Sequence, residues 1–499
     1  MNDNLLTKHW HKLPRKTLRA LQAKRLRAYL RDVVLPFHPR YRGVFSQQGL
    51  DWRAIETLED LQRIPFTSKS DLAGAPKEFI ISPDPHQLAR RPATVLRGLL
   101  RGPTRARREL EREFRPILMT STTGRAAEPM PFVYTAHDLA VLRVSGFRLM
   151  QLAGARSGDR MLSMFPFAPH LAFWQTHYAG TEFGVFILSS GGGKTVGTDG
   201  NIRMLRKLNP DVLIGMPTFV YHVLREAALD GVRCDNLRGI VLGGEKVPQG
   251  LRRKLREAAS SLRSRSVSVI STYGFTEAKM AWCECLFPVD AEPSGYHLYP
   301  DLGIVEIIDP ETGALKDDGE AGEIVFTSLD ARGTCVVRYR TGDIVEGGLT
   351  YEPCPHCGRV MPRLLGKISR CSNVREMQLD KIKGTLVDFN ELEHVLDDIP
   401  RVGSWQIELR KVNDDPMEVD ELVFHISLAD GGEESAVSKE ITRCLFERVE
   451  LHPNRILFHT DSEMRLLQGV GEKLKEQKVV DRRLRGEGRP VDATVSSEK

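Results

Sequence analysis

Short apolar runs alternate with helical stretches through the middle of the chain. Runs typical of β-strands occupy residues 160–165, 183–188, 211–215, 239–242 and 266–270, and each ends on residues that favour turns. Stretches with helical spacing, such as 219–228 and 250–262, separate several of these strands. Strands joined by helices favour a parallel sheet, and the ends of its strands then meet at one edge. The pattern therefore predicts an α/β fold with a candidate ligand site at that edge.

The pattern changes to β structure after residue 300 and to a mixture of helices and strands near residue 367. The stretches 304–313, 322–329 and 336–344 indicate strands joined by turns. An α+β module follows, with helices at 390–396 and 438–449 and strands at 405–410, 421–428 and 454–459. We predict a large N-terminal domain (1–366), with parallel-rich sheets and a β-rich subdomain, and a small α+β C-terminal domain (367–499).

Composition is that of an ordinary globular protein. The 499 residues exceed the length that one hydrophobic core usually supports, in agreement with two domains. The 71 basic and 66 acidic residues leave a net charge of only +5, so nucleic acid is not an expected partner. No apolar run approaches the roughly 20 residues of a membrane span, and the N-terminus lacks the apolar core of a signal peptide. We therefore expect a cytoplasmic protein without a membrane span.

The polar stretch 271–278, Ser-Thr-Tyr-Gly-Phe-Thr-Glu-Ala, follows the last of the predicted strands in the α/β region, and we expect it to form a turn. It offers an aromatic ring (Tyr273), a flexible glycine (Gly274), a hydroxyl (Thr276) and a carboxylate (Glu277). At the end of a strand, these groups are suited to hold a nucleotide and its metal. Taken alone, such a segment is also compatible with an ordinary loop.

A second candidate ligand loop follows the apolar segment 116–119. It consists of four consecutive hydroxyl residues, a glycine and an arginine: Thr120, Ser121, Thr122, Thr123, Gly124 and Arg125. Hydroxyls, backbone amides and a nearby cation suit polyphosphate oxygens, although Ser/Thr-rich loops are common without a ligand. The stretch 189–195, Ser-Ser-Gly-Gly-Gly-Lys-Thr, is not a P-loop, because that motif requires glycine where this chain has Leu188. We interpret it as a glycine-rich wall that a substrate can approach.

Several cysteines have the spacing of a metal site. Cys354 and Cys357 form a Cys-Pro-His-Cys-Gly knuckle, and His297 with either Cys285 or Cys283 completes a set of four ligands, with Cys285 preferred. Thiolate and imidazole ligands suit tetrahedral zinc with a structural role. Reduced thiols without a metal are the alternative. Eight cysteines in so long a chain do not indicate a disulfide framework.

An arginine-rich segment covers residues 90–115. Its nine arginines stand at positions 90, 91, 97, 101, 105, 107, 108, 112 and 115, with breaks at Pro92 and at Gly102-Pro103. A solvated helical excursion explains this composition. Alternatively, the segment is a docking face for an acidic partner, such as a carrier protein or an anionic surface.

Taken in order, these motifs resemble the AMP-forming adenylate-forming (acyl-CoA synthetase) superfamily, and within it the phenylacetate-CoA ligase-like branch. The resemblance rests on the lead-in at 57–72, the hydroxyl loop at 120–124, Tyr-Gly-Phe-Thr-Glu at 273–277, Arg-Tyr-Arg-Thr-Gly-Asp at 338–343, Cys-Pro-His-Cys-Gly-Arg at 354–359 and Lys-Val-Val-Asp-Arg-Arg at 478–483. It implies an acid-thiol ligase that uses ATP and Mg²⁺ to form an acyl-adenylate. A mobile C-terminal domain then rotates so that a thiol, usually coenzyme A, can attack.

The resemblance also implies a role for each part of the nucleotide site. Tyr273 would stack on adenine, and Asp343 would accept hydrogen bonds from the ribose hydroxyls. Thr276 would donate to the α-phosphate, while Glu277 would hold magnesium beside the pyrophosphate leaving group. Residues 120–124 would surround the β- and γ-phosphates.

Four further residues follow from the same resemblance. Gly244 and Glu245 would close the adenine side of the site. Lys367 would supply the cation of the hinge between the domains. A lysine of the C-terminal domain would bridge the carboxylate and the α-phosphate; alignment places Lys475 there, with Lys473 as the second choice.

The expected acyl pocket lies between the adenylate site and the sheet, with Phe165, Phe167, Trp174 and residues 190–193 as candidate walls. Phe167 and Trp174 are equally compatible with a plain core. Aromatic walls favour an aryl or medium apolar acid. The expected partners are this small carboxylic acid and either coenzyme A or an acyl carrier protein, and a homodimer is left open.

Three motifs depart from the family pattern. Ser121 stands where the family loop has its first glycine, Gly366-Lys-Ile-Ser369 replaces the usual Gly-Arg-x-Asp hinge, and Leu474-Lys-Glu476 replaces Gly-Lys-Ala. Two alternatives to a coenzyme A ligase therefore stay open. One is acyl transfer to a carrier or acceptor protein, which the arginine-rich segment favours; the other is a nucleotide-binding protein without ligase activity.

Overall fold

The computed structural model describes residues 9–122, 129–370, 381–382, 385–386, 389–412, 420–429, 432–449, 452–470 and 476–482. Two compact units make up the chain. The first comprises residues 1–247 and 251–372, and the second comprises residues 373–499 with 248–250. The second unit thus begins a few residues after the boundary predicted from the sequence.

Helices and strands alternate along most of the first unit, and the second unit adds further helices and strands. The bounds that follow are those of the α-helices and strands within the described residues of both units. The helices are Arg15–Tyr29 (α1), Leu35–Phe37 (α2), Pro39–Gln47 (α3), Lys69–Gly74 (α4), Pro85–Ala89 (α5), Pro92–Arg101 (α6), Pro103–Phe114 (α7), Ala136–Leu152 (α8), Leu171–Phe183 (α9), Gly192–Leu208 (α10), Pro217–Leu229 (α11), Gln249–Ser261 (α12), Phe389–Asp398 (α13), Glu434–Val449 (α14) and Asp461–Gln468 (α15). The strands are Pro116–Ser121 (β1), Pro131–Thr135 (β2), Arg160–Pro166 (β3), Phe186–Gly191 (β4), Val212–Gly215 (β5), Gly239–Leu242 (β6), Ser268–Phe275 (β7), Met280–Cys283 (β8), Tyr296–His297 (β9), Gly303–Ile308 (β10), Gly322–Ser328 (β11), Tyr339–Val345 (β12), Leu349–Thr350 (β13), Arg363–Leu364 (β14), Ile368–Arg370 (β15), Lys381–Ile382 (β16), Thr385–Leu386 (β17), Val402–Lys411 (β18), Asp420–Leu428 (β19), Arg455–Phe458 (β20) and Val479–Asp481 (β21).

A nine-stranded sheet in the first unit has the strand order β13-β14-β9-β8-β7-β6-β5-β3-β4. Strands β4, β3, β5, β6 and β7 are parallel, whereas the pairs from β7 to β13 are antiparallel. Every residue of β5 is buried, as expected for a parallel strand with both faces covered. The α/β class with a parallel-rich sheet is confirmed.

One strand of this sheet begins later than the sequence pattern predicted. Strand β4 was expected at 183–188, but helix α9 continues through Phe183 and ends at Gly184, whose φ is +86°. Glycine adopts this left-handed conformation readily, and it commonly ends helices. The strand then continues to Gly191, so the serines of the glycine-rich stretch belong to β4.

A smaller antiparallel sheet, β10-β11-β12-β15, forms the β-rich part of the first unit. Strand β12 pairs with β15 so that Asp343 lies opposite Arg370. Helix α8 begins at a capping box, in which the Thr135 side chain accepts from the Asp138 N–H and Asp138 accepts from the Thr135 N–H. Strand β2 is thereby fixed to the start of α8.

The second unit contains a four-stranded sheet of order β20-β19-β18-β21. Its core includes buried Trp405, Phe424 and Leu445, and the indole N–H of Trp405 donates to Asp397 Oδ1 over 2.8 Å. The predicted α+β class of this unit is confirmed. Across the two units, none of the described helices combines the length and hydrophobicity that a bilayer crossing needs.

Candidate active site

The central candidate motif lies mainly within a strand. Strand β7 runs from Ser268 to Phe275, so Tyr273 and Gly274 are strand residues, and the predicted turn at 271–278 is wrong over its first part. Only Thr276–Ala278 forms a turn, of the 3₁₀ type. Gly274 pairs with Ala281 of β8, and a Cβ at Gly274 would lie 2.8 Å from the Ala281 Cβ. The glycine therefore permits a close strand pairing that a periodicity analysis could not foresee.

Tyr273 and Asp343 are in direct contact. The Tyr273 hydroxyl donates to Asp343 Oδ2 over 2.8 Å, although the two residues lie in different sheets. The Tyr273 ring lies nearly parallel to that of Trp282, with centroids 6.0 Å apart. The Asp343 N–H donates to Thr341 Oγ1 over 3.0 Å. These contacts hold an aromatic ring and a carboxylate side by side.

Glu277 is held by the same strand that carries Asp343. Its Oε1 accepts a hydrogen bond from the Tyr339 hydroxyl over 2.7 Å, and Tyr339 is buried. The described residues give the second oxygen of Glu277 no hydrogen-bond partner. Thr276 is half-buried, and its carbonyl accepts from the Lys279 N–H over 3.1 Å. A carboxylate with one oxygen fixed and the other open fits a metal ligand.

Lys279 is a buried cation that sequence reasoning did not single out. It has a left-handed φ of +57° and ends the 3₁₀ turn. Its Nζ donates to the Val133 carbonyl over 2.8 Å and lies 3.3 Å from Asp138 Oδ2. Burial lowers the pKa of Lys279, while Asp138 opposes this shift. Lys279 thus attaches the Thr276–Ala278 turn to β2 and α8. In the sequence, the position of Lys279 between the apolar residues Ala278 and Met280 is a signal that this lysine could be buried.

The described phosphate-loop candidates, Thr120, Ser121 and Thr122, lie at the end of strand β1. Thr120 is buried, and its Oγ1 lies beside the buried hydroxyl of Tyr134; among the described residues these two hydroxyls have no other hydrogen-bond partner. The Ser121 N–H donates to the Pro169 carbonyl over 2.6 Å, while the Ser121 carbonyl accepts from His170 Nδ1 over 3.0 Å. These bonds attach the loop to the segment that follows β3.

Thr122 closes the base of the loop, because its Oγ1 accepts from the Met130 N–H over 3.1 Å. The remaining loop candidates, Thr123 and Gly124, lie outside the described residues, as do Lys475 and Lys473. Their proposed roles therefore stay predictions.

The predicted adenine-side and hinge residues have separate surroundings. Glu245 Oε2 accepts from Thr218 Oγ1 over 2.7 Å, at the start of α11. Gly244 has a φ of +88°. Lys367 is exposed, and its carbonyl accepts from the Glu346 N–H over 3.0 Å.

The candidate acyl-pocket residues form an aromatic group at the end of β3. Phe165 is buried, whereas Phe167 is exposed. Phe167 packs edge-to-face on Phe173 at 5.3 Å, and Phe173 packs on Trp174 at 5.1 Å. A Cβ at Gly191 would lie 2.5 Å from the Phe167 ring, so the glycine-rich stretch and this ring are neighbours. Phe173 joins the group without having been predicted.

A cluster of potential metal ligands lies at the antiparallel end of the nine-stranded sheet. Its ligand atoms, from Cys285, His297, Cys354 and Cys357, all lie within 4.8 Å of one another. The sulfurs of Cys285 and Cys354 are 3.6 Å apart, and His297 Nε2 is 3.4 Å from the Cys357 sulfur. The Cys283 sulfur instead donates to the Leu149 carbonyl over 3.6 Å.

The geometry and charge of this cluster fit a tetrahedral metal. Thiolates about 2.3 Å from a tetrahedral zinc lie about 3.8 Å from each other, which is close to the observed sulfur separation. Hydrogen bonding from Cys285 lowers the pKa of Cys354 and Cys357, while hydrogen bonding to Cys354 raises the pKa of Cys285 itself, so two of the three thiols are shifted toward the thiolate. Lowered thiol pKa values favour the thiolate form that binds metals.

Comparison with known families shows which proteins this chain is similar to. The family described as AMP-binding enzyme matches residues 130–333. This segment belongs to the AMP-binding enzyme family. The AMP-binding segment includes Tyr273, Thr276 and Glu277, whereas Asp343 follows it. The family resemblance predicted from the motifs is confirmed.

Curated relatives extend the similarity beyond the AMP-binding segment. A phenylacetate-coenzyme A ligase of Thermus thermophilus is 28% identical over 407 residues, which cover 80% of this chain and 80% of the relative. A phenylacetate-coenzyme A ligase of Pseudomonas putida is 26% identical over 435 residues, covering 85% of this chain and 87% of the relative. A solved 2-hydroxyisobutyryl-CoA ligase in its postadenylation state superposes with a TM-score of 0.74 at 17% identity, covering 95% of this chain and 92% of the other. At that identity, the structural likeness establishes the fold.

Proposed function

We propose that the protein is an ATP-dependent, AMP-forming acid-thiol ligase. It converts a carboxylic acid to an acyl-adenylate and then to a thioester with coenzyme A. The proposed substrate is an aryl or medium apolar acid, and the proposed location is the cytoplasm, where ATP and coenzyme A are available.

The contact between Tyr273 and Asp343 carries this proposal. It joins two motifs that are far apart in the sequence, and a second contact joins Glu277 to Tyr339. The first pair offers a ring for a base and a carboxylate for a ribose diol. The second offers a carboxylate that would hold Mg²⁺. An adenylate needs these groups together, and the similarity to phenylacetate-coenzyme A ligases supports the same assignment.

In the first half-reaction, a carboxylate oxygen of the acid attacks the α-phosphorus of ATP. The bond between this phosphorus and the bridging oxygen breaks, and pyrophosphate leaves with the electron pair. Thr276 would donate a hydrogen bond to the α-phosphate, and Thr120 would donate to another phosphate oxygen, since its buried hydroxyl has only the Tyr134 hydroxyl beside it. Glu277 would hold Mg²⁺, which would neutralise charge on the leaving group. Lys475 would bridge the two reacting anions.

In the second half-reaction, the sulfur of the thiol attacks the acyl carbonyl carbon. The bond between that carbon and the phosphate oxygen breaks, and AMP leaves while the thiol proton passes to solvent. Coenzyme A is the proposed thiol. The aromatic group formed by Phe167, Phe173 and Trp174 would contact the apolar part of the acid.

We propose a structural zinc ion at Cys285, His297, Cys354 and Cys357. Four protein ligands leave no open position for a substrate, so the ion would stabilise structure rather than take part in the reaction. It would join the end of β8, strand β9 and the 354–357 knuckle, next to the strand that carries Tyr273.

A screen of carboxylic acids with Mg²⁺-ATP tests the proposal. We expect acid-dependent release of pyrophosphate, followed by loss of free thiol when coenzyme A is added. Acid-dependent pyrophosphate release without coenzyme A consumption would contradict the proposed acceptor and favour a carrier protein. ATP binding without pyrophosphate release for any acid would contradict ligase activity itself.

A further inference from the structure

Helix α6 (Pro92–Arg101) presents an apolar stripe to solvent. Its members are Val95, Leu96, Leu99 and Leu100, which recur at helical spacing on one side of the helix. Leu99 is 79% exposed and Leu100 is 74% exposed. Isolated exposed apolar residues need no explanation, but three leucines and a valine together on one helix indicate a surface that contacts an apolar phase or partner.

The surroundings of this stripe are basic. Residues 90–115 contain nine arginines against three glutamates, and no acidic residue precedes Glu109 in that segment. On helix α7 (Pro103–Phe114), Arg105 and Arg107 are exposed and lie near Glu109 and Glu111, respectively. Arg108 is also exposed. The apolar stripe is therefore accompanied by an excess of positive charge.

Helices α6 and α7 form a helical hairpin (residues 90–115), and the base of this hairpin is attached to the body of the first unit. Phe114 of α7 packs edge-to-face on Phe37 at 5.7 Å, and Ala106 is buried. Arg332 Nε donates to Glu113 over 3.0 Å. Before α6, the Arg91 guanidinium lies over the Phe37 ring at 4.5 Å. These contacts hold α7 on its inner side and leave the leucines of α6 uncovered.

We propose that the hairpin 90–115 binds the surface of an anionic lipid bilayer. An amphipathic helix with aliphatic residues on one face and arginines beside it inserts its apolar face at the boundary of head groups and acyl chains. The basic residues are attracted to the negative surface potential of such a membrane. This mode of binding needs no membrane-spanning helix.

The composition of the stripe favours a lipid surface over an acidic protein. Energetically dominant residues of protein interfaces are enriched in tryptophan, tyrosine and arginine, while leucine and valine are under-represented. The stripe contains only leucine and valine. It also projects from a helix rather than lining a groove, so it fits a fluid apolar phase that adapts to its shape.

Sedimentation with vesicles tests this proposal without ATP or an acid, so its outcome is independent of the proposed enzyme activity. We expect the intact protein to bind vesicles of phosphatidylglycerol and phosphatidylcholine, and to bind vesicles of phosphatidylcholine alone much more weakly. The double substitution Leu99→Glu with Leu100→Glu should lower the partition coefficient at least about tenfold. Arg105→Glu with Arg108→Glu should lower binding and its dependence on salt.

Leu229→Glu is the matched control, because Leu229 is 71% exposed at the end of α11 and outside the hairpin. It should bind vesicles as the unmodified protein does, and thermal melts should show that every variant is folded. Equal vesicle binding by the hairpin and control variants would overturn the proposal. An absence of vesicle binding at low salt would also overturn it. If the protein does not bind vesicles but the leucine substitutions abolish binding to an acyl carrier protein or self-association, the stripe is a protein interface and the proposal is likewise overturned.

Discussion

Tyr273 on β7 and Asp343 on β12 are joined by a hydrogen bond of 2.8 Å, from the phenol to the carboxylate. The bond fixes the position of the Asp343 carboxylate, which we propose accepts hydrogen bonds from the ribose hydroxyls. Asp343→Ala should weaken ATP binding by roughly 1.5–3 kcal/mol, or more than about tenfold, because charged hydrogen bonds are lost. Tyr273→Phe keeps the ring and should have a smaller effect. Isothermal titration with ATP measures both, and an unchanged affinity of Asp343→Ala would remove this residue from the ribose role.

The hydrogen bond from Tyr339 to Glu277 joins a proposed metal ligand to the residue that positions it, and separate substitutions can distinguish the two roles. Glu277→Gln should raise the activation free energy of adenylation by about 2 kcal/mol or more and raise the Mg²⁺ concentration needed for half-maximal rate. Tyr339→Phe removes one hydrogen bond and should have a weaker effect in the same direction. Pyrophosphate release at varied Mg²⁺ gives both quantities. If Glu277→Gln changes neither, Glu277 is not a magnesium ligand.

Lys475 is predicted to act only in the first half-reaction. Lys475→Ala should reduce adenylation by about 100-fold or more, since a cation beside the reacting phosphate is lost. Thioester formation from a preformed acyl-adenylate should be nearly unchanged. Lys473→Ala is the comparison, and if it alone shows this behaviour, the alignment is displaced by two residues.

The cysteine cluster predicts about one zinc per chain. Elemental analysis should find zinc in the unmodified protein and no zinc in the Cys354→Ser variant. Cys283→Ser provides a control, because Cys283 is close in sequence but its sulfur faces the Leu149 carbonyl. Zinc retained in Cys354→Ser, or a folded protein without metal, would contradict the site.

His38 makes the stability of the first unit dependent on pH. Its Nε2 donates to the Cys335 carbonyl, its Nδ1 accepts from the Tyr41 N–H, and burial lowers the pKa of His38 from 6.5 to about 4. Between these values the unfolded chain binds a proton that the folded chain does not. Stability should therefore fall by about 3 kcal/mol as the pH decreases through this window.

Urea unfolding at several pH values measures this contribution. His38→Asn keeps an acceptor at the start of α3 and should flatten the dependence between pH 4 and 6.5, whereas His86→Asn, at an exposed histidine, should not. The same pH dependence in His38→Asn as in the unmodified protein would refute this role of His38.

The sequence by itself determined the α/β class, the order of the motifs and the family, because alternation of strands and helices and short motifs are local properties. It also predicted that Tyr273, Thr276 and Glu277 lie together near the end of a strand. It did not determine that β7 continues through Tyr273, since that depends on how closely Ala281 of the neighbouring strand approaches Gly274. Strand ends are set by such pairing contacts, which no periodicity records.

Only the tertiary structure decided which distant groups meet. The bonds from Tyr273 to Asp343 and from Tyr339 to Glu277 span 70 and 62 residues, and Lys279 became visible as an anchor through its contacts with Val133 and Asp138. Likewise, both Cys283 and Cys285 satisfied the ligand spacing. Cys283 is still within β8 and faces α8, whereas Cys285 lies past the strand end beside Cys354. Side-chain direction depends on the folded backbone, so sequence separation alone could not choose between them.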